Sequence, residues 1–128
     1  MKKKIKALMV AAALSATPAL ADENGVTRTA LELANHCAVM ERAVEGNLTA
    51  NEAYSIGYCL GSVGMFTFFA RVHEIHNLCL PDSLDSGQVA KLFVTEVKKH
   101  PEVQNMTYQT VMHMALYKHY GCNTKASR

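Results

Sequence analysis

The chain has 128 residues, of which 49% are hydrophobic and 19% are charged, and its formal net charge is +2. This length fits one domain with a modest core. No stripe of basic residues interleaved with aromatic ones is present, which argues against a nucleic-acid-binding protein.

The first 21 residues have the pattern of a bacterial-type secretory signal peptide. Four lysines lie within the first six residues, an apolar run follows, and Ala19-Leu20-Ala21 forms a small-x-small cleavage site. We therefore predict export to the periplasm, with a signal peptide at 1–21 and one helical domain at 22–128. The exported chain has 9 basic and 11 acidic residues, so its net charge is −2.

The first two predicted helices form an antiparallel hairpin. Apolar residues spaced by three or four predict helix one over Val26–Glu45, and Gly46 suits the left-handed position that follows a helix. Thr49 and Glu52 have the spacing of a capping box, which predicts that helix two begins at Ala50. We expect helix two to continue to Asn77, and the short connection makes the two helices neighbours.

Eighteen residues of helix two, from Ala53 to Ala70, include no charged residue. Such a segment is almost long enough to cross a bilayer, but its serines, tyrosines and glycines lower its hydropathy. We favour a helix at the centre of a small bundle. On this interpretation Gly57, Gly61 and Gly64 allow close approach of neighbouring helices.

Helices three and four form a second hairpin. Asp85 and Gln88 are spaced to cap helix three, Lys98 and Lys99 favour its carboxyl end, and Pro101 stops it. Helix four is predicted to end at Gly121. Its apolar side is predicted to comprise five residues: Val103, Met106, Thr110, Met114 and Tyr117. The sequence thus predicts an all-α bundle of about four helices.

Four cysteines lie in the exported part of the chain, and an even number in an exported protein indicates disulfides. Four cysteines allow three connectivities. Residues equidistant from the turn of a hairpin lie side by side, and this symmetry favours Cys37–Cys59 in the first hairpin and Cys79–Cys122 in the second.

The sequence contains no evident catalytic constellation, and we predict neither an enzyme nor a cofactor. His73 and His76 are one helical turn apart, and a softer set of potential ligands follows in Met112, His113, Met114 and His119. Because methionines at helical spacing are usually core residues and no full ligand set is present, we predict no metal site.

Four short motifs occur in a fixed order: GYCLG (57–61), CLP (79–81), HPE (100–102) and ALYKHYGC (115–122). In this order they resemble the Rap/Tai family of type VI secretion amidase immunity proteins. Gly121 stands where that family usually has a proline. The family's helix-two cysteine often lies at the position of Ser55, whereas here it is Cys59.

The resemblance implies a periplasmic protein that binds and inhibits a peptidoglycan amidase effector and so prevents self-intoxication, in several members as a homodimer. Loops held by a rigid scaffold are where binding residues concentrate. We therefore place the partner-binding residues in the connections Leu80–Gln88 and Lys99–Gln104. The candidate residues are Pro81, Asp82, His100 and Glu102.

A second hypothesis is a periplasmic acid-stress chaperone of the HdeA-like kind. Such a protein is also small, helical and disulfide-bonded, and it would expose apolar surface when its carboxylates become protonated. Phe66, Phe68 and Phe69 would supply that surface.

Overall fold

A computed structural model describes residues 28–43, 46–73 and 77–122. These residues form four α-helices, so the predicted all-α fold is confirmed. The helices are α1 (Ala30–Arg42), α2 (Ala50–Val72), α3 (Ser86–Lys99) and α4 (Tyr108–Tyr120), and a short 3-10 helix (Pro101–Val103) precedes α4. The predicted signal peptide lies outside the described residues.

Both predicted capping boxes are confirmed. The backbone N–H of Thr49 donates to the Glu52 carboxylate at 2.9 Å, and the Glu52 N–H donates to the Thr49 hydroxyl at 3.3 Å. Asp85 and Gln88 make the same reciprocal pair of hydrogen bonds at the start of α3. Each box satisfies backbone donors that a helix start would otherwise leave without partners, and so it fixes where the helix begins.

Two helices end earlier than predicted. Helix α1 ends at Arg42, with Ala43 as its cap, and the glycine with positive φ, Gly46 at +143°, lies further along the connection. Helix α2 ends at Val72 and not at Asn77, which has a left-handed φ of 58°. Residues 44–45 and 74–76 lie outside the described part of the chain.

Helices α1 and α3 each pack against the other three α-helices, and we call α3, which buries the most side chains, the central helix. Its side chains Val89, Phe93 and Val97 are almost fully buried. The prediction that α2 occupies the centre is therefore wrong. Helix α2 lies at the edge of the bundle and buries only Cys59, Val63, Thr67 and Ala70.

The predicted apolar side of helix four is also wrong. Helix α4 begins only at Tyr108, because Pro101 opens a 3-10 turn and residues 104–107 form a turn before the Thr107 cap. Of the five predicted residues, Val103 and Met106 precede the helix, Thr110 and Tyr117 are exposed, and Met114 is half-buried. The side that packs on α3 consists of Val111, Met112, Ala115 and Leu116.

Both predicted disulfides are confirmed. Cys37 pairs with Cys59 across the hairpin of α1 and α2, with a Cα–Cα distance of 5.0 Å, and Cys79 pairs with Cys122 at 4.9 Å. The first disulfide is buried in the core, whereas both cysteines of the second are exposed.

Two backbone bridges hold the ends of α4. At its amino end Thr29 pairs with Thr107, and at its carboxyl end Leu78 pairs with Gly121. Beside the second bridge, the N–H of Cys79 donates to the Tyr120 carbonyl at 2.7 Å. Helix α4 is thus attached to the beginning of α1 at one end and to the connection between α2 and α3 at the other.

Candidate partner-binding surfaces

The connection between α2 and α3 contains the first pair of predicted binding residues, Pro81 and Asp82, and both are exposed. The Arg71 guanidinium of α2 donates to the carbonyl of Pro81 at 3.1 Å and to that of Leu84 at 2.8 Å. Leu84 is itself buried. The exposed residues therefore lie on a turn that is held on both sides, by Arg71 and by the disulfide at Cys79.

The second pair, His100 and Glu102, lies at the carboxyl end of α3. The imidazole Nδ1 of His100 is 2.9 Å from a Glu102 carboxylate oxygen, and its Nε2 is 3.8 Å from Glu96, which also contacts the Lys118 ammonium. A hydrogen bond from its own backbone N–H lowers the pKa of Glu102, and the bond with His100 lowers it further. This corner is a polar network in which His100 lies between two carboxylates.

The structure does not bring the two predicted pairs together. Asp85 caps the beginning of α3 and His100 caps its end, so the pairs are separated by a 14-residue helix, which is about 21 Å long. The Cys79–Cys122 disulfide adjoins only the first pair. A narrow cleft in a partner can therefore contact one of these two connections, but not both at once.

Sequence reasoning missed a third surface, the outward side of α2. Six of the ten exposed large hydrophobic side chains belong to this helix. We call its exposed side the α2 face: Tyr54, Gly57, Leu60, Gly61, Met65, Phe68 and Val72. A charge-free segment is expected for a central helix as well as for a contact surface, so the sequence alone could not distinguish the two.

The packing of the α2 glycines also differs from the prediction. A Cβ atom added at Gly57 or Gly61 would have no atom within 4 Å, whereas one at Gly64 would lie 3.5 Å from the Ser86 hydroxyl. Only Gly64 therefore faces another helix of the same chain. Within the described residues, α2 is also the one helix that could cross a membrane by length and composition. Only 22% of its most apolar stretch is buried, which is little for a helix of a soluble core.

A groove of about 630 Å³ adjoins the α2 face and separates α2 from α4. Met65 and Phe69 belong to its α2 wall and are exposed, and Tyr108 and His113 belong to the α4 side. The groove and the face therefore form one continuous, mostly apolar surface.

A hydroxyl and an imidazole meet between α1 and α2, where the Ser55 Oγ is 3.1 Å from the His36 Nδ1. The His36 ring also contacts the rings of Tyr54 and Tyr58, and the Arg28 guanidinium lies 4.6 Å above the Tyr58 ring. These contacts make His36 part of an aromatic cluster that joins α1 to α2, which is a structural role.

Among residues 28–43, 46–73 and 77–122, no group of three or more His, Cys, Asp or Glu side chains is placed to hold a metal ion. His76 of the predicted histidine pair lies outside these ranges. Of the softer set, Met112 is fully buried in the core. The absence of a metal site remains a prediction.

The fold and these surfaces define a class: a small helical protein, fixed by two disulfides, whose exposed features are loops and an apolar helix face. The family model of Rap1a immunity proteins matches residues 29–122. The chain therefore belongs to the Rap1a immunity protein family, as the motif order predicted. No curated protein and no solved structure matches the chain.

Membership makes the chain an immunity protein directed against a secreted effector. It also implies that the chain binds that effector. The two disulfides and the family are both consistent with an extracytoplasmic protein. The family also favours a non-enzymatic inhibitor over an enzyme.

Proposed function

We propose that the chain acts in the periplasm, where it binds and inhibits a peptidoglycan amidase delivered by a type VI secretion system, without any catalysis of its own. The match of the family over 94 of the 128 residues carries this proposal. The pattern of a signal peptide in the first 21 residues supports the periplasmic location. A homodimer, which the family resemblance implies, is also proposed.

We assign the effector contact to the connection of Pro81 and Asp82. An inhibitor benefits from a surface that keeps its shape before binding, because ordering a loop on binding costs affinity. Two hydrogen bonds from Arg71 and the Cys79–Cys122 disulfide hold this connection. His100 and Glu102 lie at the other end of α3, so a substitution there is the matched control for a substitution in the proposed contact.

The test adds the purified, oxidised protein to an amidase encoded beside its gene while the amidase digests peptidoglycan. We expect stoichiometric inhibition. Asp82→Arg should weaken it, because the change reverses an exposed charge in the contact, whereas Glu102→Arg should leave it unchanged. Full amidase activity at a clear molar excess, for each effector encoded nearby, would contradict the proposed function.

The chaperone hypothesis draws support from one observation. The side chains of Phe68 and Phe69 are 58% and 43% exposed in the folded protein, so an apolar surface is available to clients. Binding of unfolded clients at low pH, together with no effect on any amidase, would favour this second function.

A further inference from the structure

We propose that Cys79–Cys122 is a thiol–disulfide exchange site of the folded protein, and that its partner is a protein with a C-x-x-C dithiol. Exchange at this site determines how firmly the turn at Pro81 and Asp82 is held. The exchange itself does not depend on any effector, whereas its effect on inhibition rests on the proposed function.

The two disulfides differ in access. Exchange begins when a thiolate attacks a disulfide sulfur, so the attacking group must reach that sulfur. Cys79 and Cys122 are both exposed, whereas Cys37 and Cys59 are 2% and 0% exposed. A bulky protein thiol therefore reaches the second disulfide and not the first while the chain is folded. Exposed disulfides are the class to which labile and regulatory ones belong.

The backbone holds Cys79 beside Cys122 without help from the sulfur–sulfur bond. The N–H of Cys79 donates to the Tyr120 carbonyl, and the N–H of Cys122 donates to the Asn77 carbonyl, both at 2.7 Å. These hydrogen bonds involve backbone atoms alone, so reduction of the sulfurs does not remove them. The two thiols then stay adjacent, and the disulfide forms again without the entropic cost of closing a long loop.

Reduction of this disulfide also leaves the bundle folded. The hydrophobic core includes Cys37 and Cys59 but neither Cys79 nor Cys122, and the first disulfide still joins α1 to α2. What reduction removes is the covalent link between the end of α4 and the connection before α3. The turn at 81–82 follows this link directly, so it becomes less constrained.

The proximity of the two cysteines decides the class of reductant. Attack by one thiolate breaks the sulfur–sulfur bond, forms a mixed disulfide with one cysteine and frees the other as a thiolate. That thiolate lies beside the mixed disulfide, so it expels a reductant that has a single thiol and restores the original bond.

A C-x-x-C protein completes the reaction, because its second thiol attacks the mixed disulfide from within the complex. Two electrons and two protons pass from the dithiol to Cys79 and Cys122, and the C-x-x-C protein leaves as a disulfide. The reverse reaction, with an oxidised C-x-x-C protein, forms the Cys79–Cys122 bond on the folded chain.

The test adds reduced thioredoxin, a C-x-x-C protein, to the purified protein with both disulfides formed. Alkylation with peptide mass mapping identifies the free cysteines, and circular dichroism follows the helices. We expect Cys79 and Cys122 to become free with an unchanged helical signal, while Cys37 and Cys59 stay paired. A thioredoxin variant whose second cysteine is serine is the matched control and should yield at least about tenfold less free thiol. Equal yields would overturn the assignment of a dithiol partner.

Urea distinguishes exchange in the folded protein from exchange after unfolding. Below the unfolding transition, the rate at which Cys79 and Cys122 become free should not change with urea. The rate for Cys37 and Cys59 should rise steeply, because it requires exposure of the core. An equally steep rise for Cys79 and Cys122, or a loss of helical signal as they become free, would overturn the proposal.

The double variant Cys79→Ala with Cys122→Ala reproduces the reduced state permanently. It should fold with a lower Tm, and a failure to fold would overturn the proposal, because exchange in the folded protein requires a folded reduced form. The variant should inhibit the amidase about tenfold less well than the oxidised protein, since the turn must then be ordered on binding. Equal inhibition would overturn the effect of this disulfide on the turn, and inhibition by neither form would contradict only the proposed function.

Discussion

Arg71 on α2 donates a hydrogen bond of 2.8 Å to the carbonyl of Leu84, thirteen residues further along the chain. This contact ties the edge helix of the bundle to the turn that precedes the central helix. The Arg71 guanidinium therefore bonds within its own chain, and it helps to hold the turn at Pro81 and Asp82 in place.

We predict that Arg71→Ala loosens this turn. Hydrogen bonds to a charged donor contribute about 1.5–3 kcal/mol when buried, and the exposure of Arg71 reduces the expected loss in the free energy of unfolding to about 1 kcal/mol. Urea denaturation measures this loss. The hydrogen-exchange rate of the Leu84 backbone amide should also increase. Lys91→Ala, which removes another exposed cation, is the control; equal exchange at Leu84 in both variants would contradict the prediction.

The centre of α3 should be the most sensitive position in the core. Phe93 is fully buried, so Phe93→Ala should lower the free energy of unfolding by about 3–5 kcal/mol. Thr95 lies on the exposed side of the same helix, and Thr95→Ala should change it by no more than about 0.5 kcal/mol. Similar denaturation midpoints for the two variants would contradict the burial of Phe93 in the core.

The two disulfides should differ in their rate of reduction. Thiol–disulfide exchange requires access to sulfur, and Cys79–Cys122 is exposed whereas Cys37–Cys59 is buried. Brief treatment with dithiothreitol, followed by alkylation and peptide mass mapping, should label Cys79 and Cys122 first. Earlier labelling of Cys37 and Cys59 would contradict the burial of the first disulfide.

Acid should weaken the amino end of α2. The backbone N–H of Thr49, assisted by its hydroxyl, lowers the pKa of Glu52 below the ordinary value of 4.5. A carboxyl group with a lowered folded-state pKa stabilises the fold above about pH 4.5, and this contribution disappears as the pH falls through the folded-state pKa.

The substitution Glu52→Gln keeps an oxygen acceptor for the capping box but removes the titration. The loss of stability between pH 5 and pH 3 should therefore be smaller in this variant, as measured by urea denaturation at each pH. Asp82→Asn removes one exposed carboxyl elsewhere and serves as the control. A variant whose stability falls as steeply as that of the original protein would contradict the role of Glu52.

Local signals in the sequence predicted much of the fold. The capping boxes at Thr49 and Asp85 depend on residues three apart, and hairpin symmetry alone was sufficient to pair Cys37 with Cys59. The buried side of α4 could not be predicted. The 3-10 turn that begins at Pro101 moves the start of the helix to Tyr108, so the residues that face the core differ from those of a continuous helix. A periodic pattern that runs through Val103 and Met106 does not reveal this interruption.

The candidate surfaces were harder to predict, since they depend on which helix is central. The sequence already placed helix three between Pro81 and His100, and the structure adds that the Cys79–Cys122 disulfide adjoins only the first of them. The α2 face was missed because an uncharged helix looks the same in a sequence whether its apolar side contacts a core or solvent.

The backbone bridges at the two ends of α4 determine where fusions can be attached. The carbonyl of Arg28 accepts from the Tyr108 N–H, and the N–H of Cys122 donates to the Asn77 carbonyl, so Arg28 and Cys122 lie at opposite ends of this 13-residue helix. A bulky domain fused directly after Cys122 would lie near Pro81 and Asp82, and one fused directly before Arg28 would lie near the turn at 104–107. The two tag positions would thus shield different surfaces, and comparing them would locate the effector without changing a single residue of the domain.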